Sequence, residues 1–268
     1  MAYETLLVES GAVARIILNR PEVMNAQNRR MLRELDEAFA ELAGAPDVRV
    51  IVLSGTGQHF SAGHDVKEMQ RPRDADAPPS LTIGKELYME SHLRWRNVLK
   101  PTIAMVQGYC IFGGWMVASA MDFIFAADDA LFLAYPAPAD YWSVVWELGP
   151  RKTLEILYEN RFVGAQEALD LGFVNRVYPV AELEHETLAY AARVAENDPN
   201  MTRSLKFHVN QTLDGMGFSQ SVNAAWHGIR NNAAPAQPSR PSPAVETGDG
   251  KARFRGVAPA LKRLERRH

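Results

Sequence analysis

The chain has 268 residues and a formal net charge of −3, with 47% hydrophobic and 23% charged residues. This composition is ordinary for a globular protein, and the charge balance does not favour binding to nucleic acid. A chain of this length can bury a substantial core, as one large domain or two small ones. The single cysteine, Cys110, excludes an intrachain disulfide and a paired-cysteine metal site, and it indicates a reducing compartment.

Two features argue against export and membrane insertion. The N-terminus has no basic start and carries Glu4 and Glu9 within its apolar pattern, unlike a signal peptide. The most apolar segment, 103–127, is interrupted by Gln107 and Asp122, which is typical of a globular core rather than a membrane span. We therefore predict a cytoplasmic protein that neither enters a membrane nor holds a metal.

Strand and helix patterns alternate along the first part of the chain. Residues 13–20 are β-branched and apolar, which predicts a strand that ends at Arg20 and Pro21. Residues 48–57 form a continuous apolar run, as in a strand buried on both faces. Between them, 25–43 predicts an amphipathic helix with Asn25 as its N-cap. Its apolar positions at helical spacing are Met31, Leu35, Phe39 and Leu42.

The middle of the chain continues this alternation. Residues 70–80 are polar and rich in proline, which predicts a loop, and two further strands are predicted at 101–108 and 122–128. Residues 81–99 predict an amphipathic helix. Its apolar positions are Leu87, Leu93, Trp95 and Leu99.

After Gly149 the patterns are mainly helical. Helices are predicted at 150–160, 165–175, 181–197 and 201–215, the second with a helix stop near Gly172, followed by a short extended piece at 174–178. From about residue 233 the chain is rich in Pro, Ser and Gly, so burial cannot order it. A flexible extension and a strap across a neighbouring subunit remain alternatives for it, and 258–268 could form a short basic helix.

Four segments of the chain form a recognisable series. They are LNRPEVMNAQN (18–28), HFSAGHDVKEM (59–69), the strand, glycine turn, helix and strand of 100–132, and GAQEALDLGFVNRVYPVAEL (164–183). In this order and spacing they resemble the enoyl-CoA hydratase/isomerase, or crotonase, family. The resemblance covers roughly residues 1–232.

The resemblance implies an α/β fold: a crotonase-like spiral of ββα units with two roughly perpendicular sheets and a C-terminal helical region. It divides the chain into a spiral core (1–180), a helical trimerisation region (181–232) and a Pro/Gly-rich extension (233–268). The implied assembly is a homotrimer or a dimer of trimers.

The resemblance also implies an acyl-CoA thioester substrate, with coenzyme A as part of the substrate and no separate cofactor. Two backbone N–H groups would hold the thioester oxygen, those of His64 and Gly113. The alternative for the adjacent glycines is that they only permit tight helix–strand packing. The side chain of His64 is predicted to face solvent or the CoA. The other residues implied to contact substrate are Val23, at the CoA, and Ala62, Asp65, Val66, Gly114, Met116 and Tyr135.

The chain departs from the family where two glutamates usually deliver water and a proton. The first position aligns with Met116, and the second falls near Tyr135 and Pro136, so neither is a carboxylate. Asp140 is the acid that remains in this segment, as a candidate general base. Its alternative is a solvated loop or N-cap aspartate before a helix near 141–148. Glu147 is interpreted as structural, paired with Arg151 one turn later.

These observations predict an acyl-CoA-binding enzyme that stabilises a thioester enolate with a non-standard catalytic site. An isomerase or hydrolase that uses Asp140 is one alternative, and a catalytically inactive acyl-CoA-binding or assembly protein is another. A nucleotide-binding α/β domain is disfavoured because the chain has no GxGxxG or GxxxxGK[ST] motif between a strand and a helix.

Overall fold

The computed structural model describes residues 3–69, 84–134, 140–231, 246–248 and 251–253. In chain order the strands are β1 (Leu6–Glu9), β2 (Val13–Leu18), β3 (Val50–Gly55), β4 (Thr102–Val106), β5 (Tyr109–Ile111), β6 (Phe123–Ala127), β7 (Leu131–Leu133), β8 (Val163–Gly164), β9 (Arg176–Tyr178), β10 (Glu246–Gly248) and β11 (Lys251–Arg253). The helices are α1 (Arg29–Gly44), α2 (Val66–Met69), α3 (Ser91–Arg96), α4 (Gly113–Ser119), α5 (Val144–Glu159), α6 (Ala165–Asp170), α7 (Val180–Ala195), α8 (Pro199–Gly215) and α9 (Phe218–Asn231).

The strands divide between two main sheets in a repeating order. The larger sheet has the order β1-β2-β3-β4-β6-β9, antiparallel between β1 and β2 and parallel from β2 onwards. The smaller sheet has the order β5-β7-β8. Successive strands therefore alternate between sheets: β4 then β5 before α4, and β6 then β7 before α5. This repeated ββα unit winds the chain into a spiral, so the predicted fold class is confirmed. Strands β10 and β11 pair with each other in the C-terminal extension.

Strand β3 is buried on both faces, as its continuous apolar run predicts. Ile51 and Leu53 pack into the main core, while Val50 and Val52 face a second cluster that contains residues of α7. Side chains alternate across a strand, so only a strand covered on both sides can be apolar at every position. Helix α7 supplies the second cover.

The first helix is confirmed, but its predicted N-cap is wrong. Helix α1 begins after Asn28, whose side-chain oxygen accepts a hydrogen bond from Met31 N at 2.8 Å. Asn25 is buried instead, and its Nδ2 donates to the carbonyl oxygens of Thr56 and His59, both at 2.9 Å. Both asparagines precede an apolar helical pattern, so only the tertiary contacts distinguish the cap.

The helix predicted at 81–99 is shorter and less regular than its pattern suggests. A π-helical turn, Glu86–Glu90, continues directly into α3, and the chain leaves the helix at Asn97. Leu87 and Trp95 are buried as predicted, whereas Leu99 lies beyond the helix. The loop predicted at 70–80 lies outside the described residues.

The C-terminal region is helical, as predicted. Asp198 caps α8 by accepting a hydrogen bond from Asn200 N at 2.8 Å, and Pro199 is its first residue. In the described part of the chain, no helix is long and apolar enough to cross a bilayer. The helix predicted at 258–268 lies outside the described residues. Apolar side chains on the exposed surface of α8 include Met201, Leu205, Phe207 and Val209.

A buried carboxylate ties α1 to the start of β1. Glu34 accepts hydrogen bonds from Thr5 N at 2.8 Å, from the Thr5 hydroxyl at 2.5 Å and from Glu4 N at 3.1 Å. Burial by itself raises the pKa of Glu34, but these bonds outweigh it and the net pKa is lowered. Its contribution to stability is therefore complete above its ordinary pKa and is lost as the pH falls below that value.

We expect Glu34→Gln to lower the free energy of unfolding by about 1–3 kcal/mol at pH 7. The difference from the unmodified protein should shrink as the pH falls from the ordinary carboxyl pKa towards the lower pKa of native Glu34, because in that range the unfolded chain gains the proton first. Urea denaturation at pH 7 and pH 3.5 measures both effects. Glu37→Gln, on the exposed side of the same helix, is the control and should change little at either pH. An equal loss at both pH values would contradict a role for the charge.

Candidate active site

Two bends of the chain meet because they occupy equivalent positions in successive turns of the spiral. Ser61 forms a parallel bridge with Cys110: Ser61 N donates to Tyr109 O at 2.9 Å, and Ile111 N donates to Ser61 O at 3.0 Å. Three residues further along each segment, His64 and Gly113 are again neighbours. The register of the spiral therefore brings together two bends: the SAGHD bend (residues 61–65) and the glycine bend (Gly113 and Gly114).

Glycines permit the close approach of these bends. Gly63 has φ +84°, and a Cβ there would lie 2.5 Å from Ile111 O and 2.9 Å from Gly113 N. At Gly114 a Cβ would lie 2.7 Å from Ser61 O. Both contacts are with backbone atoms, which cannot move aside easily. Tight packing of the helix against the neighbouring segment is therefore sufficient to explain why residue 114 is glycine.

The conformation of Gly63 also sets the direction of the next amide. Ala62 N donates to Met24 O at 2.9 Å, and Gly63 O accepts from Gln27 N at 2.7 Å, so consecutive residues face the same side. In a regular strand they would face opposite sides. Asp65 N then donates to Gln27 O at 2.9 Å, which leaves the N–H of the intervening residue, His64, directed away from Gln27.

The second amide lies at the start of a helix. Gly113 is the first residue of α4, where a backbone N–H has no acceptor within the helix. The residue before it, Phe112, has φ 48° and ψ −103°, an unusual conformation for a residue with a side chain. Among the hydrogen bonds between described residues, neither His64 N nor Gly113 N is a donor.

The His64 side chain lies inside the site, so it does not face solvent, and contact with the CoA stays a prediction. Its side chain is 13% exposed, and its ring packs against Tyr88 with the centroids 4.5 Å apart. A Cβ on Gly113 would lie 2.5 Å from Cδ2 and 2.7 Å from Nε2 of His64. The absent side chain at Gly113 therefore makes room for the imidazole. Burial lowers the pKa of His64, and the nearby Asp140 partly opposes that shift.

Asp140 faces His64 from the segment that precedes α5. Its Oδ2 lies 3.9 Å from Nδ1 of His64, and its side chain is 18% exposed. The N-cap residue of α5 is Ser143, so the interpretation of Asp140 as an N-cap is wrong, and its place in a loop leaves the carboxylate only partly exposed. Asp140 has φ 50°, a left-handed conformation that aspartate tolerates better than most residues.

The other predicted contact residues are placed around these bends to different extents. Ala62 and Met116 are buried beside the two bends, and Val66 is half-buried at the start of α2. Asp65 accepts from Arg20 Nη1 at 3.1 Å and from Lys67 N at 3.1 Å, so it stabilises the bend. Val23 is the last residue of a 3-10 turn. The carbonyl oxygen of the next residue, Met24, accepts a hydrogen bond from Ala62 N. Tyr135 lies outside the described residues.

Two site residues were missed in the sequence. Tyr88 and His92 are four residues apart, so they lie on one side of the helical segment. His92 is fully buried, and its ring lies 5.4 Å from that of Tyr141. Burial and the nearby His64 lower the pKa of His92. The spacing of Tyr88 and His92 was available, but it did not indicate that this face meets the SAGHD bend.

The predicted pair between Glu147 and Arg151 is not formed. Gly149 has φ 70° and interrupts α5 between them, so the two residues do not face each other across one helical turn. Glu147 Oε2 instead accepts a hydrogen bond from Trp115 Nε1 at 3.0 Å, while Arg151 is exposed. Desolvation raises the pKa of Glu147, and the hydrogen bond from Trp115 partly opposes that shift.

The spiral of ββα units is that of crotonase-fold proteins. The family model for enoyl-CoA hydratase/isomerase matches residues 8–226, and the chain belongs to that family.

Individual relatives agree with this assignment. EchA13 of Mycobacterium tuberculosis, named as an enoyl-CoA hydratase, is 39% identical over 84% of this chain and 77% of its own length. The hydroxycinnamoyl-CoA hydratase-lyase of Pseudomonas fluorescens is 33% identical over 76% of this chain and 77% of its own. The crystal structure of a probable enoyl-CoA hydratase from Mycobacterium thermoresistibile superimposes with a TM-score of 0.77 at 43% identity, covering 83% of this chain and 92% of that one.

Proposed function

We propose that the protein binds an acyl-CoA thioester and stabilises its enolate between the amides of His64 and Gly113. One observation carries this proposal: the two bends lie against each other, and neither of these two amides donates a hydrogen bond to a described residue. As a proton leaves Cα, negative charge builds on the thioester oxygen, and backbone donors in a dry site stabilise it strongly. One such donor lowers the activation free energy by about 3–4 kcal/mol.

The residues around the two amides would form the walls of the acyl site. Buried Ala62 and Met116 offer apolar contact, Gly114 belongs to the glycine bend, and Val66 directly follows the SAGHD bend. Asp65 would keep the first bend in shape through Arg20. We propose that Val23 contacts the CoA portion. The same role in substrate binding stays a prediction for Tyr135.

The available acid–base groups favour a reaction that needs one carboxylate. Hydration of an enoyl thioester requires a proton at Cα and an activated water at Cβ, and methionine at position 116 can supply neither. Asp140 lies beside His64 of the SAGHD bend, whereas the neighbouring carboxylates Asp65 and Glu147 are hydrogen-bonded to Arg20 and Trp115. A site with one carboxylate suits double-bond migration or assisted hydrolysis of the thioester. The names of the relatives have a CoA thioester in common, although they differ in the acyl group.

Met116 also favours a second candidate, an acyl-CoA-binding or assembly protein without catalytic activity. Such a protein would keep the two amides and lose proton transfer. Calorimetric binding of thioesters with no turnover over a broad panel would support this candidate, and robust turnover would end it.

We also propose that the protein is a homotrimer or a dimer of trimers. Helix α8 exposes Met201, Leu205 and Val209, which lie four residues apart and so form one apolar stripe. A second copy could cover such a stripe. Light scattering after gel filtration measures the assembly. The cytoplasmic location and the absence of a cofactor other than CoA stay predictions.

We expect Asp140→Asn to lower kcat by about 10²-fold or more, the usual effect of disabling general acid–base catalysis, whether Asp140 takes the proton itself or acts through a neighbouring base. The test is turnover of a panel of enoyl-CoA and aryl-CoA thioesters, with thioester affinity measured by calorimetry and expected to stay similar. Asp170→Asn, on the exposed surface of α6, is the matched control and should behave as the unmodified protein. Unchanged turnover would remove Asp140 from the mechanism. If no thioester binds, the proposed function is wrong.

A further inference from the structure

His64 contributes a second group to the site besides its backbone amide. Its Nε2 is buried and has no hydrogen-bond partner among the described residues. An unpartnered buried nitrogen is costly, because it has lost its water and gained nothing in return. Such an atom is expected where a bound ligand supplies the missing partner.

The position of the imidazole shows which way each nitrogen faces. Nδ1 faces Asp140, at 3.9 Å from its Oδ2. Nε2 faces the other bend, since it would lie 2.7 Å from a Cβ on Gly113. The unpartnered nitrogen therefore borders the residue whose amide is proposed to hold the thioester oxygen.

A carboxylate next to Nδ1 favours the tautomer that carries its proton on Nδ1. In that tautomer Nε2 has a free lone pair and can accept a proton. The carboxylate also stabilises the imidazolium that forms. Catalytic hydrogen bonds are often long without substrate and shorten when it binds, which is compatible with the separation between His64 and Asp140.

We propose that His64 Nε2 is the base that removes the Cα proton of the bound thioester, and that Asp140 is a positioning residue that acts through His64. This inference rests on the proposed function. The Cα–H bond breaks, its proton moves to Nε2, and its electron pair forms the Cα=C bond of the enolate. The carbonyl π electrons move to the oxygen held by the two amides. Return of the proton from the imidazolium to carbon restores a neutral His64.

The charged and titratable groups around His64 fit this role. Asp140 favours a positive charge on the His64 imidazole. His92 lies close to His64, and burial together with this neighbour lowers its own pKa, so a positive charge on His92 is disfavoured. Tyr88, the ring packed on His64, has a pKa raised by burial and therefore stays neutral. With its own pKa lowered, His64 is unprotonated at neutral pH, as a base must be.

Exchange of α-protons tests the proposal whatever the overall reaction is. The protein is incubated in D₂O with butyryl-CoA or phenylacetyl-CoA, and deuterium at Cα is followed by mass spectrometry. We expect exchange by the unmodified protein to rise with pH and to level off before neutrality. His64→Gln should slow it by about 10²-fold or more and remove this pH dependence. Its thioester affinity should change little, because the backbone amide remains.

Three further variants separate the alternatives. Asp140→Asn should slow exchange and shift the pH midpoint downwards, because the carboxylate that favours the imidazolium is lost. His64→Ala provides a second loss of the imidazole if the glutamine variant does not fold. His185→Gln, at an exposed histidine of α7, is the control and should exchange normally.

The outcomes distinguish this inference from the proposed function. If His64→Gln exchanges at the normal rate while Asp140→Asn does not, Asp140 takes the proton directly, and the inference is overturned while the proposed function stands. If the unmodified protein binds thioesters without exchanging α-protons, both the inference and the proposed catalytic activity are wrong. The binding-protein candidate then remains. If it binds no thioester, both the inference and the proposed function fail.

Discussion

Replacing Gly63 with alanine is expected to lower the free energy of unfolding by about 2–5 kcal/mol. The left-handed conformation at φ +84° costs about 1–2 kcal/mol for a residue with a side chain. The new Cβ would also lie 2.5 Å from Ile111 O, and relieving such a clash by moving backbone costs about 1–3 kcal/mol more. Urea denaturation monitored by circular dichroism measures the loss.

A matched substitution separates the effect of this position from a general effect of alanine. Gly44 is the last residue of α1, and nothing lies within 4 Å of a Cβ placed there. Gly44→Ala should therefore leave stability unchanged or raise it slightly. A loss of less than about 1 kcal/mol for Gly63→Ala would show that the two bends can separate without much cost, contrary to the close packing described above.

Gly113→Ala is expected to leave the protein folded and to reduce α-proton exchange by about 10²-fold, the effect of displacing a reacting group by about 1 Å. The nearest atoms to the new Cβ would be side-chain atoms, Cδ2 and Nε2 of His64 and Oε1 of Gln27. These atoms can move, so stability should change much less than for Gly63→Ala. The His64 imidazole would be displaced from the reacting carbon, although the amide of residue 113 is retained.

A double-mutant cycle tests whether the imidazole is responsible. If Gly113→Ala acts by displacing His64, it should have little further effect in a protein that already carries His64→Ala. Exchange rates for the two single variants, the double variant and the unmodified protein complete the cycle. Independent, multiplicative losses would mean that alanine at position 113 disturbs the thioester rather than the histidine.

The spiral explains why the site needs so few specialised side chains. Gln27, the SAGHD bend and the glycine bend lie side by side in successive turns, linked through the bridges Gln27–His64 and Ser61–Cys110. Successive turns therefore place the backbone groups of equivalent residues next to one another. The proposed pair of convergent amides would follow from the repeat itself, once glycine at position 63 reverses the direction of the next peptide.

Local sequence patterns were sufficient for much of the architecture. The apolar run around β3 indicated burial on both faces, and the helical spacing from Met31 to Leu42 indicated the buried face of α1. These features depend on short-range periodicity, so they can be recognised without knowing the partner surface. The four motifs then identified the family, because their order and spacing are specific in combination.

The errors arose where a residue's partner is distant along the chain. Asn25 has cap-like chemistry, but its partners are carbonyl groups beyond β3. Glu147 has a basic residue one turn ahead, but Gly149 interrupts the helix and Trp115 becomes the partner. Local spacing cannot reveal such long-range contacts.

The sequence by itself determined strands β2, β3, β4, β6 and β9, the main helices, the family and the two glycine-containing bends, because these depend on residue type and spacing. Only the tertiary structure decided that the imidazole of His64 lies between Gly113 and Asp140. The direction of a side chain is set by the neighbours that exclude or accept it. For His64 those neighbours come from three separate segments, which meet only when the spiral has formed.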